Sequence, residues 1–234
     1  MKLVRLIGYI VLGLSLAGCN GKYEIAGKTS LLPDGTLLLL QKLNQERFEI
    51  IDSAVVNGGH FAFHGRQREP AVAILVPDNE RASTFPPLLL ALQPGTIQVS
   101  IDSVTQIGGT PLNDRLQAYE DRRQSFDRQM QTIARQYLND YLSGRLTDST
   151  FLTLKQNFEI EQKGLEKITR EYIAANTDNV TSVYLFLQNS FLFTPDEQRQ
   201  LIANAAPAFR KNVAIRKVAR MLARLKNVAP DMPY

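Results

Sequence analysis

The chain has 234 residues, 44% of them apolar and 21% charged, and a formal charge of +4. That length suits one or two domains, and the composition is that of an ordinary globular chain, not of a disordered, collagen-like or disulfide-rich one. One cysteine rules out an intramolecular disulfide, a CxxC redox pair and a cysteine-built zinc site, and two histidines leave little room for a histidine-rich metal centre.

Lys2 and Arg5 give the first residues a positive charge, and Leu6 to Leu16 is an apolar run interrupted only by Gly8, Tyr9, Gly13 and Ser15. The run is shorter than the roughly 20 residues of a membrane-spanning helix and suits the 7–15-residue core of a signal peptide. It ends in Leu16-Ala17-Gly18-Cys19, which resembles the lipobox of bacterial lipoproteins. The resemblance implies that residues 1–18 are a removable signal peptide, that Cys19 is the lipidation site, and that the N-terminal lipid anchors the chain to a membrane. Losing Lys2 and Arg5 with the leader lowers the charge to +2. So weak a bias, on an exported chain, argues against a nucleic-acid partner. Asn20 stands where an aspartate would resemble an inner-membrane retention signal, and Asn20-Gly21-Lys22-Tyr23 is not an acidic surface-export tag. The expected location is the cell envelope of a Gram-negative bacterium, at the outer membrane facing the periplasm.

Residues 19–108 read as β structure. Short β-rich segments at 22–27, 36–43, 47–56, 60–65, 70–76, 87–92 and 96–101 are separated by turn residues. Pro33-Asp34-Gly35 and Pro94-Gly95 are turns, and Asn57-Gly58-Gly59 is a strong hairpin signal. Ile97, Val99 and Ile101 alternate with Gln98 and Ser100, so that strand buries one face.

Residues 109–227 read as helix. Thr110 suits an N-cap and Pro111 the first helical position. A stripe of Leu112, Leu116, Tyr119, Phe126, Met130, Ile133 and Tyr137 is broken only by Arg123. After Gly144 and a start at Asp148 or Ser149, a second stripe of Phe151, Leu154, Phe158, Leu165, Ile168 and Tyr172 is broken only by Glu161. Two such helices joined by a short loop pack antiparallel. Arg123 and Glu161 either face each other or sit at frayed edges. Shorter helices follow near Ser182–Gln188, from the cap Thr194-Pro195-Asp196-Glu197, and from Pro207 to Lys226. The expected fold class is α+β: an N-terminal antiparallel β-sandwich or open barrel, then a helical segment with a long antiparallel helical hairpin.

Few residues offer chemistry. His60 and His64 share one strand face, about 13 Å apart at the ends of four residues, which is too far to grip one ion easily. There is no Gly-x-Ser-x-Gly elbow, and Gly108-Gly109-Thr110 lacks the surrounding pattern of a phosphate loop, so it reads as a domain junction. Glu120 with Arg123, Glu159 with Lys163, and Glu166 with Arg170 are spaced as surface helix pairs, with nothing to mark a raised carboxylate pKa. Residues 208–227 hold seven bases and no acid beside Val213, Val218, Met221, Leu222 and Leu225. That pattern suits either contact with anionic lipid or a solvated face whose other side joins the core.

The order of Tyr23-Glu24-Ile25-Ala26-Gly27, Asp34-Gly35, Leu37 to Leu40, Ile51-Asp52-Ser53, Asn57 to Phe63, and Gly109-Thr110 before Leu112-Asn113-Asp114 carries a second resemblance. It is similar to the uncharacterised N-terminal domain of bacterial lipoproteins of the thioredoxin-like thiol-disulfide oxidoreductase type. In that family the redox domain opens with an Ala-Pro-Asp-Phe-like stretch. The tail 228–234 resembles that opening in Ala229-Pro230-Asp231-Met232, with Tyr234 the last residue. No redox cysteine has a counterpart here, so the resemblance carries over no catalytic, cofactor or metal residue. It implies a non-catalytic binding or scaffold module, recognising a protein partner or itself through a sheet edge or the helical hairpin. Two alternatives remain: a truncated product of such an oxidoreductase, and an unrecognised envelope hydrolase.

Overall fold

The computed structural model describes residues 21–44, 47–78 and 86–227; the signal segment, Cys19 and the tail 228–234 lie outside them. Eight strands come first: β1 (Lys22–Thr29), β2 (Leu37–Asn44), β3 (Arg47–Val55), β4 (His60–Arg66), β5 (Ala71–Pro77), β6 (Leu88–Leu92), β7 (Gly95–Ile101) and β8 (Thr105–Gly108). They form two four-stranded sheets, β4-β1-β7-β8 and β3-β2-β5-β6, packed as a sandwich. Helices α1 (Pro111–Leu142), α2 (Asp148–Ala175), α3 (Val180–Gln188), α4 (Pro195–Asn204), α5 (Pro207–Lys211) and α6 (Val213–Asn227) follow, giving the expected α+β class.

Alternation decides which side of each strand is buried. In the first sheet Tyr23, Ile25, Phe61, Phe63, Ile97, Val99 and Ile101 point inward, while Lys22, Glu24, His60 and His64 face solvent. Gly27 pairs with Phe61, and a Cβ on Gly27 would lie 2.0 Å from the Phe61 ring, so only glycine lets that ring lie across β1. The second sheet turns Leu38, Leu40, Leu75 and Leu90 inward, all fully buried. Its outer face meets the helices, with Phe48 and Tyr184 ring centroids 5.8 Å apart.

The turn residues act as expected. Thr36 N donates to Pro33 O at 3.1 Å, closing the turn through Gly35. Gly58 and Gly59 take φ of 59° and 72°, and Asn57 and His60 exchange both backbone bonds. This turn joins strands of different sheets, so β3 and β4 pair no further than Asn57 and His60. Two features leave no local signal in the sequence. The eighth strand has only four residues, too few to show alternation. The β1–β7 pair is parallel, set by a crossover that no local pattern encodes.

The helices are fixed by their ends. Thr110 occupies the N-cap position before Pro111, but its hydroxyl accepts from Asn113 Nδ2 at 2.8 Å instead of from a backbone N–H. α2 is capped by Thr147, one residue ahead of the expected Asp148 or Ser149, because its hydroxyl reaches Thr150 N at 3.2 Å. Thr194 and Glu197 complete the capping box of α4. The expected continuous last helix is broken: Asn212 stops α5 and caps α6 by accepting from Ala214 N at 2.9 Å.

One core spans both halves, since Leu116, Tyr119, Ile168, Tyr172, Phe186, Phe209 and Ile215 join the cluster that contains the sheet residues. α1 seals the sandwich on one side. Asn113 Oδ1 accepts from Ala91 N at 2.8 Å and Asn113 Nδ2 donates to Ala91 O at 2.9 Å, so its amide acts as one more strand residue beside β6. Gln117 Oε1 accepts from Ile107 N at 2.6 Å, and Gln124 Nε2 donates to Thr105 O at 3.3 Å, along β8. Both sheet edges on this side are thereby satisfied by side chains of one helix.

Candidate functional site

α1 and α2 form the expected antiparallel hairpin. Its base is held by Tyr119 and Tyr172, ring centroids 4.8 Å apart, and by a Gly164 backbone so close to Phe126 that a Cβ would fall 2.3 Å from the ring. α1 is roughly 48 Å long at 1.5 Å per residue. Beyond Phe126 none of its residues is buried, and in α2 ahead of Glu161 only Leu154 is. The end of the hairpin therefore stands away from the core with its apolar residues open to solvent. Leu138, Tyr141, Leu142, Leu152 and Ile160 are all more than half exposed, Leu142 at 73%. Tyr137 stacks on Tyr141 at 6.3 Å and meets Phe151 at 6.1 Å, giving the end an ordered aromatic surface. Clustered exposed apolar side chains of this kind mark interaction sites.

A second feature is a cleft of about 1000 Å³ between β6, α1, α2 and α3, with Tyr119, Glu120, Arg123, Asp127 and Thr169 on its wall. Arg123 donates to Glu120 at 2.7 Å and also bonds Asp127, both on its own helix. Glu161 is not its partner. Burial pushes the Glu120 carboxyl above its usual range, against the pull of Arg123, which corrects the expectation that no carboxylate is raised. Next to it Tyr119 bonds Thr169 at 3.1 Å, and the Thr169 hydroxyl donates to Leu165 O. The groups in this cluster satisfy one another, as in a structural ion pair set among apolar residues. Behind it, Tyr172 bonds Thr181 at 3.0 Å and accepts from Asn179 Nδ2 at 3.2 Å, and burial raises the Tyr172 hydroxyl to about 12.

Other expected pairs form differently. Glu159 meets Lys155 at 3.9 Å instead of Lys163. Glu166 accepts from Gln162, and Arg170 reaches Glu197 on α4 and the ring of Phe193, drawn away by tertiary partners. His60 and His64 lie on the outer face of the first sheet, where His64 Nε2 is 3.5 Å from Glu24 Oε1. Among the described residues no three His, Cys, Asp or Glu side chains come together as a metal site. The N–H of Gly109 is taken by Asp114 Oδ1 at 2.9 Å, so this junction presents a carboxylate, not a vacant anion site. No helix among the described residues is long and apolar enough to cross a membrane.

Residues 23–116 match the family model of a domain of unknown function (DUF4369). The match runs from β1 through all eight strands to Leu116, so the DUF4369 segment includes the Asn113 amide that closes the sandwich edge. It stops before the hairpin end and the last helices. No curated protein matches the chain.

The sandwich and the hairpin seam with Tyr137 and Phe151 follow from sequence periodicity, whereas Leu138, Tyr141 and Leu142 do not. Their signal was available: they lie off the apolar seam of α1, where a solvated helix carries polar residues.

Proposed function

We propose that this chain is a non-catalytic binding module of the bacterial cell envelope, tethered by lipid on Cys19, which engages a protein partner or a second copy through the end of the α1–α2 hairpin. The observation that carries the reading is the apolar surface of Tyr137, Leu138, Tyr141, Leu142 and Leu152 at the far end of two long helices. A rigid arm with a sticky end suits reaching and docking better than turnover. The lipid tether rests on Leu16-Ala17-Gly18-Cys19 and the run before it.

Two measurements test the two parts. Cells fed labelled palmitate should yield labelled wild-type protein and unlabelled Cys19→Ser; equal labelling of both overturns the tether. A photo-crosslinking residue at Leu142 should give a discrete adduct that the same residue at Gln98, on the open face of the first sheet, does not. Matching adduct patterns at the two sites overturn the docking role. A second reading is favoured by Ala229-Pro230-Asp231-Met232, which resembles the opening of a thioredoxin-like redox domain. In that case residues 23–227 are the accessory part of a thiol-disulfide oxidoreductase, and sequencing the locus downstream of Tyr234 would reveal a CxxC frame.

A further inference from the structure

The last helix has two faces, and only one is used by the core. α6 buries Ile215 and Leu222 completely or nearly so. On the other side, Val213, Lys217, Arg220, Met221, Arg224 and Leu225 follow one another at the spacing of a single helical stripe. Met221 and Leu225 are each 53% exposed, and with Lys217, Arg220 and Arg224 they border one shallow depression of the surface. Apolar and basic side chains thus alternate on one outward face.

The charge of this face is lopsided. From Pro207 to Asn227 there are seven bases and no acid, although the whole chain holds 27 bases against 23 acids. Among the described residues, Arg216, Arg220 and Arg224 have no carboxylate partner; Arg220 Nε reaches only the Arg216 carbonyl of its own helix, at 3.3 Å. Arg115, Arg123 and Arg170, on α1 and α2, each meet an acid. Arg216, Arg220 and Arg224 form one i, i+4, i+8 row along the helix, and the last two border the same depression as the exposed Met221 and Leu225.

We infer that the outward face of α6 docks on an anionic lipid bilayer, with Val213, Met221 and Leu225 sunk to the level of the headgroups and Arg216, Arg220 and Arg224 spread to the phosphates around them. A helix with one basic and apolar face lies in the bilayer interface in this way, and long basic side chains can reach phosphate while their stems stay apolar. Charge complementarity selects anionic lipid over a neutral surface. The docking requires neither acylation of Cys19 nor the hairpin end, so its failure and theirs are separately visible.

The test uses the chain from Asn20 onward, which keeps every described element and lacks both the leader and Cys19. Sedimentation with vesicles of equal parts phosphatidylglycerol and phosphatidylcholine should pull down the protein, and vesicles of phosphatidylcholine alone should not. A basic residue near an anionic surface changes affinity about fivefold, so the triple substitution Arg216→Gln, Arg220→Gln, Arg224→Gln should weaken binding roughly a hundredfold. Met221→Ser with Leu225→Ser should weaken it too, with all charges kept. Added salt should release the protein. All substituted side chains are exposed, and unchanged circular-dichroism melting should confirm intact folds. Equal binding to both vesicle types, or wild-type binding by the triple variant, overturns the inference. So does retention on DNA in place of anionic vesicles.

Discussion

The Asn113 side chain bonds both backbone groups of Ala91, accepting from its N–H and donating to its carbonyl, and both residues are fully buried. Asn113→Leu keeps the γ-branched shape and leaves two buried backbone groups unpaired, at about 1–3 kcal/mol each. We expect Asn113→Leu to lower the urea midpoint by far more than Asp114→Ala, whose bond to Gly109 N is exposed. Equal shifts would mean that the β6 edge is held by something other than the amide.

Gly27 and Phe61 form a coupled pair across β1 and β4. Gly27→Ala forces a Cβ into the space of the Phe61 ring and should destabilise the sandwich. Phe61→Leu alone also lowers stability by shrinking the core. Together the two should cost clearly less than their sum, because the shorter side chain yields to the new methyl. Additive melting shifts would contradict the steric account.

Two carboxylates should tilt the pH profile in opposite directions. The Arg170 hydrogen bond and the Thr194 N–H hold Glu197 at about 2, down from 4.5. Its contribution is full above 4.5 and lost as pH falls through about 2, so Glu197→Gln should flatten the acid limb of a melting profile in that window. Glu120 is raised by burial, so the folded chain binds its proton more tightly than the unfolded chain. Stability therefore falls as pH climbs from 4.5 to the raised value, and Glu120→Gln should remove that slope. Thermal melts from about pH 2 to neutrality separate the two effects.

At the hairpin end, Leu138→Lys and Leu152→Lys replace exposed side chains and should change stability by no more than about 0.5 kcal/mol. The same changes should abolish crosslinking through the hairpin. Loss of fold in both variants would show that this end is packed in solution.

Much of this architecture was legible locally. Ile97, Val99 and Ile101 declared their strand by alternation, Gly58-Gly59 their turn, and Thr194 with Glu197 their helix start. What escaped was set by distant partners. The parallel pairing of β1 with β7 joins segments that share no local signal. Arg170 left its helical neighbour for Glu197, and Glu120 owed its raised pKa to a wall built from other elements. The roles of Asn113 and Gly109 depend on Ala91 and Asp114, which only the fold brings beside them.

The parallel β1–β7 pair also dictates an order of assembly. Thr29 bonds Ile101 across 72 residues, and β1 lies between β4 and β7, so the first strand made waits for one of the last. The second sheet needs only β2, β3, β5 and β6, which are close in sequence and can gather early. Long-range closure is entropically slow. A growing chain should hold β1 unsheltered on one flank until Gly95–Ile101 emerges, and refolding should show the Tyr23 region protected late, after the second sheet has formed.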